Sequence, residues 1–253
     1  MEIFQSLKDR NTLLFWFGLI NLFAGIFMIA LSLVKPIEFG GTNAWFKPIK
    51  FALSTTALVW TVGWYSSYLE PSKSINWTNW IIIITLGFEV LYISIQAARG
   101  QASHFNNASP FYSFMYSMMG FGAVIATLAI AFIGSKFWFN AFTDLPSYYL
   151  WAIRFGFLLF VIFSFEGGIM GGNMQHSIGG PDGGNGIPFL GWSISYGDLR
   201  IAHFVGMHAL QILPLLSWYV LKDTKLSISL AILYAGLAVF VLIQALKAKS
   251  FLG

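Results

Sequence analysis

Residues 12–34 read TLLFWFGLINLFAGIFMIALSLV, an apolar run without one charged side chain. A helix needs about 20 such residues to cross the hydrocarbon of a bilayer, and this run is long enough. It exceeds the roughly 7–15 residues of a signal-peptide core, and no small-x-small cleavage site follows, so it predicts a retained membrane helix. Six more segments read the same way: 49–69, 79–98, 111–133, 148–170, 200–221 and 226–246. The expected fold is an all-α integral membrane protein, with seven transmembrane helices in one bundle. That bundle forms a single domain over residues 1–253, with a long glycine-rich loop between its fifth and sixth helices.

The composition agrees. The chain is 57% hydrophobic, 18% aromatic and only 9% charged, with a mean hydropathy of +0.71. Soluble domains do not have this profile. The absence of cysteine excludes disulfides, thiolate metal sites and cysteine nucleophiles. The net charge of +4 suits contact with anionic lipid, and no basic tract exists on which nucleic-acid binding could rest. Seven spans put the termini on opposite sides. Lysines and arginines divide almost evenly between the two faces, so the positive-inside rule gives only a lean toward a cytoplasmic N-terminus.

The alternation of spans sends all four histidines to one face: His104 after the third segment, His176 after the fifth, His203 and His208 in the sixth. That face also carries the longest connection, about 25 residues from Gly171 to Ser195, and loops of this length are usually functional or disordered. Its Ile187, Pro188, Phe189, Leu190 and Trp192 are too apolar for a solvated linker. It is expected to fold back as a lid or re-entrant segment. GGPDGGNG at 179–186 lacks the Gly-Lys-Ser/Thr ending and the preceding strand of a phosphate cradle.

Two polar stripes run toward the same face. At 100° per residue, Arg200, His203, His208 and Gln211 occupy roughly 140° of one helix. Glu89, Tyr92 and Gln96 follow at helical spacing on another, with Arg99 at its edge, and Glu166 lies near the end of a third. A charge within a span costs about 2.5–3.5 kcal/mol, so such residues face a cavity or one another. Glutamine and serine alone would act as interhelical glue at about 0.6 kcal/mol per contact. Glu89, Glu166 and His208 are the expected catalytic groups. Lys47, Lys50, Gln96, Arg99, Arg200 and Gln211 are the expected substrate contacts, the cations suiting an anionic head group.

Imidazole and carboxylate are ligands for zinc or non-haem iron, and two histidines can ligate haem b axially. His104, His176, His203 and His208 are therefore the expected metal ligands. His203 and His208 are five apart, about 140° around a helix, and cannot chelate one ion from one face. A bound metal must draw on separate elements.

The stretches GGPDGGNGIPFLGW and GDLRIAHFVGMHALQ, with NAWFKPIKF earlier, resemble a group of bacterial multi-pass membrane proteins. The resemblance implies a multi-pass protein of the bacterial inner membrane and carries no activity with it. Microbial rhodopsins share the span count, but the lysine that holds retinal is missing from residues 226–246. The function expected from the residues is a metal- or haem-dependent membrane enzyme, an oxidoreductase or hydrolase, acting on an amphipathic lipid or quinone-like substrate. The alternatives are a proton-coupled transporter or channel, and a binding or assembly subunit of a membrane complex.

Overall fold

A computed structural model describes residues 2–183 and 186–251. The architecture is helical: α1 Glu2–Arg10, α2 Thr12–Val34, α3 Phe46–Ser66, α4 Lys73–Ala98, α5 Pro110–Phe139, α6 Ser147–Asn173, α7 Leu199–Leu216 and α8 Thr224–Leu246. Two small antiparallel hairpins complete it. β1 (Glu38–Phe39) pairs with β2 (Thr42–Asn43), and β3 (Ser177–Ile178) with β4 (Gly197–Asp198). By contacts the chain divides into two compact units, Met1–Ala129 and Ile130–Gly253.

Among the described residues, six helices are long and apolar enough to cross a membrane: Thr12–Val34, Lys73–Ala98, Pro110–Phe139, Ser147–Asn173, Leu199–Leu221 and Thr224–Leu246. The seventh expected span, 49–69, corresponds to α3, which is a helix of 21 residues but too polar to count among them. The physical reason lies in its packing. Thr55, Thr56, Ser66 and Gly63 of α3 are buried within the protein, where hydroxyls find protein partners that lipid cannot supply. Thr56 Oγ1 donates to the carbonyls of Ala52 and Gly18, and Ser66 Oγ to that of Gly63.

In the first unit, α2 and α3 approach closely because Gly18 leaves room for an indole. A methyl there would fall inside the Trp60 ring, whose Nε1 donates to the Phe15 carbonyl at 3.1 Å. Such contacts between small residues and large partners hold helices together in lipid, where the hydrophobic effect contributes little. Helix α1 was not expected. Asn11 separates it from α2, accepting the Leu14 N–H and donating to Ser66 Oγ. Arg10 then lies 3.9 Å from the Trp64 ring centroid and donates to Ser67 Oγ at 2.7 Å.

In the second unit, α6 and α7 use the same device. Gly206 of α7 accommodates the Phe163 ring, and Gly156 of α6 faces the backbone of Ala209 and Leu210. Ala152, Leu159 and Phe163 pack with Ile201, Ala202, Ala209 and Leu213, and Ala231, Ala238 and Val241 of α8 close the cluster. Pro214 cannot supply a helical N–H. Three residues on, α7 passes into a π-helical turn, Ser217–Leu221, closed by Lys222 in the left-handed region.

The connection between α6 and α7 is folded. Asp182 gathers the N–H groups of His176 and Ser177, and the Leu199 N–H donates to the His176 carbonyl at 3.1 Å. Gly197 lies so near the Ala245 carbonyl of α8 that no side chain fits there, and Gly179 meets Ala248 in the same way.

Candidate functional site

Several polar groups within or beside the spans have structural partners. Asn21 returns its amide to the Phe17 carbonyl at 2.9 Å. Arg154 donates Nε to the Phe137 carbonyl at 2.8 Å and lies over the Trp151 and Trp138 rings. Arg200, expected to hold a substrate anion, is taken up by Asp198 and by the Gly191 carbonyl, to which Nη2 donates at 2.6 Å. Asp198 is the N-cap of α7 and also accepts the N–H groups of Arg200 and Ser193. An aspartate directly before an apolar helical run is an N-cap signal, but neither this cap at Asp198 nor its hold on Arg200 was singled out from the sequence.

The four histidines have separate environments. The His176 Nδ1 lies 2.7 Å from Asp182 Oδ2. Burial by itself would raise the Asp182 carboxyl. The side-chain and backbone hydrogen bonds from His176, its charge, and a bond from Ser177 outweigh burial and hold it well below the usual carboxylate range. On α7, His203 Nδ1 lies 2.7 Å from the Phe163 carbonyl and 3.4 Å from Glu166 Oε2. His208 Nδ1 lies 2.8 Å from the Phe204 carbonyl. A carbonyl only accepts, so both rings carry a proton on Nδ1, and in the neutral form Nε2 has a free lone pair.

Helix α7 and the preceding connection touch through aromatic rings. Trp192 packs edge-on against Phe204 at 5.4 Å, and Phe204 stacks on His208 at 4.0 Å. Gln211 is half-buried on the same helix. Glu166 is 7% exposed, and neither of its oxygens has a hydrogen-bond partner. An ionised carboxylate so placed is costly unless something compensates it.

The first unit carries the other expected residues. His104 Nε2 lies 4.0 Å from Glu89 Oε1, and its Nδ1 lies 3.1 Å from Ser103 Oγ. Its ring stands 5.8 Å from Phe51 and 6.1 Å from Tyr116. Gln96 is 1% exposed and donates Nε2 to the Ala102 carbonyl at 2.9 Å. Arg99 is exposed and donates to the Tyr112 hydroxyl, which passes its own proton to Gln101 Oε1. Lys47 and Lys50 are half-buried in the first turns of α3.

The expected histidine cluster is not supported. Among the described residues no three His, Asp or Glu side chains form a group able to hold a metal ion. His203 and His208 diverge by their five-residue spacing, while His176 and His104 are directed to Asp182 and Glu89. Sequence reasoning did not single out Ser103 or Asp182 as partners of histidines. The adjacency Ser103-His104 carries no helical signal, and the Asp182 contact depends on the turn that its glycines allow. No family model matches the chain, and no curated protein or solved structure matches it.

Proposed function

We propose that the chain is an integral-membrane enzyme acting on an amphipathic substrate, with a haem iron or other metal held by imidazole Nε2 in the second unit. The observation that carries this reading is His203. Its Nδ1–H is directed to the Phe163 carbonyl with Glu166 behind it, on a ring that keeps 31% exposure, so its neutral form would offer Nε2 as a ligand atom. Metal-binding imidazoles are held in this way, since a carbonyl or carboxylate on the far nitrogen fixes the tautomer and raises ligand basicity. His208 diverges from His203 and is an alternative ligand rather than a partner to it, and His176, backed by Asp182, is a further candidate.

Haem iron would be favoured over a bare zinc ion because one protein imidazole can hold a haem, whereas catalytic zinc takes three protein ligands. When bound, such a group supplies redox or Lewis-acid chemistry. The chain's own residues orient it and, through the folded α6–α7 connection, exclude water. In this reading α3 completes seven spans, and Lys47, Lys50 and Arg99 face lipid head groups at the surface of a bacterial inner membrane.

The test is a visible spectrum, a haem assay and metal analysis of protein expressed with added iron and haem precursor. A Soret band or stoichiometric metal that is lost in His203→Ala is expected. Neither band nor metal in folded wild-type protein overturns the reading. The buried, unbonded Glu166 favours a second reading, a proton-coupled transporter. Proton-driven uptake into proteoliposomes that is lost in Glu166→Gln would establish that one instead.

A further inference from the structure

A groove on the surface of α4 is lined by Lys73, Asn76, Trp77, Trp80 and Ile84 and has a volume of about 520 Å³. That lies within the roughly 300–1,000 Å³ of ligand sites. At 100° per residue the five side chains share about 100° of the helix surface, so they form one stripe. From Lys73 to Ile84 the stripe runs about 17 Å at 1.5 Å per residue, roughly half of a hydrocarbon core about 30 Å thick. Its apolar members stand open, Trp77 being 70%, Trp80 45% and Ile84 65% exposed.

These two indoles differ from the other tryptophans. Trp45, Trp60 and Trp64 donate Nε1 to protein oxygens, and Trp16, Trp138, Trp151, Trp192 and Trp218 pack against aromatic rings. Among the described residues Trp77 and Trp80 have neither a hydrogen bond nor a ring contact. The exposed Asn76 amide and Lys73 Nζ have no protein partner either, and no carboxylate, Glu70 included, pairs with Lys73. Lysine and indole only donate, so a ligand that satisfies them is rich in acceptors. The ammonium at one end selects an anion, and the indole and isoleucine walls beyond it are covered by an apolar chain. Inorganic phosphate meets the first condition alone. A second copy of the chain, packed symmetrically through this stripe, would set Lys73 against Lys73.

We propose that the groove binds a single anionic phospholipid. Its phosphate sits at Lys73 and Asn76, its ester carbonyls accept the indole N–H groups of Trp77 and Trp80, and one acyl chain lies along the rings toward Ile84. The length of the stripe matches one leaflet, which is what one lipid covers. Tryptophan occupies this head-group level in spanning proteins, and a lysine stem can lie on apolar surface while its ammonium reaches the phosphate. The site belongs to the first unit and needs only that α4 cross the bilayer, as its length and apolar composition allow. It is independent of any metal or haem in the second unit.

The probes are phosphatidylglycerol and phosphatidylcholine with identical chains, added to delipidated protein in nonionic detergent and counted as adducts by native mass spectrometry. The first phosphatidylglycerol is expected to bind about 5-fold more tightly than the first phosphatidylcholine, the contribution of one lysine beside an anionic head group. Lys73→Gln should erase that preference. Trp77→Leu combined with Trp80→Leu should weaken both lipids at least about 5-fold through two lost hydrogen bonds. The melting temperature should hold, because neither indole bonds within the protein. Lys225→Gln removes a lysine from the first turn of α8, a helix without tryptophan, and should leave the preference intact. Equal affinity for the two lipids, the mark of ordinary annular contact, overturns the proposal. So does a preference that survives Lys73→Gln or is lost equally in Lys225→Gln, displacement of the lipid by glycerol phosphate, or a dimer that the tryptophan variant separates.

Discussion

Asp198 and Arg200 stand two residues apart and close a forked ion pair, Nε on Oδ1 at 2.9 Å and Nη2 on Oδ2 at 2.5 Å. With the N–H groups of Ser193 and Arg200 on the same carboxylate, this pair ties the α6–α7 connection to the first turn of α7. Removing the acid strands a guanidinium and two amides. Asp198→Ala should cost about 3 kcal/mol, the lower end for buried pairs, because Arg200 keeps 28% exposure. Thermal unfolding in detergent and protease cleavage within 186–196 are the measurements. Arg200→Lys should cost less than Asp198→Ala, because the two N–H bonds to Asp198 remain although lysine cannot form the fork.

Glycines of the second unit differ in what surrounds them. A methyl on Gly206 meets the Phe163 ring, whereas one on Gly168 meets nothing within 4 Å. Gly206→Ala should therefore destabilise by about 1–3 kcal/mol through overpacking. Gly168→Ala should be neutral or stabilising by up to about 1 kcal/mol through helix propensity. Equal melting temperatures for the two variants would contradict the close approach of α6 and α7.

The depressed Asp182 carboxyl has a defined pH signature. Its stabilising contribution is fully present above the ordinary value of 3.8 and is lost as pH falls toward the lower folded value. The turn around His176 should resist proteolysis down to about pH 4 and open below it. Asp182→Asn should open the turn at neutral pH as well. A wild-type turn that opens already at pH 6 would show that the carboxylate is not what holds it.

The span count is tested by the ends of the chain. With α3 crossing the membrane, reporter fusions after residue 10 and after residue 249 should report opposite sides. The same side for both would leave the six apolar helices as the only spans.

Most of the fold was legible because bilayers impose a coarse rule. The first predicted segment coincides with α2, and those at 79–98, 111–133, 148–170, 200–221 and 226–246 lie inside longer apolar helices. Helix α3 was read as a span from its length, but Thr55, Thr56 and Ser66 face protein, which an average over residues does not distinguish from exposure. Helix α1 escaped because Glu2–Arg10 is short and polar, and its Arg10–Trp64 contact is long-range in sequence. In the site, the stripe Glu89, Tyr92 and Gln96 was readable at helical spacing. The capture of Arg200 by Asp198 was not, since two neighbouring charges look alike whether they bond each other or a ligand.

The seating of Gly179 on Ala248 and of Gly197 on Ala245 bears on how the protein is made. The α6–α7 connection leaves the ribosome before α8 exists, yet it rests on the last turn of α8 and the residues just beyond. Its final shape must wait until that helix has been inserted. Completion of the α6–α7 connection is thus a late event in biogenesis, and chains halted before residue 245 should carry helices with that connection unfinished.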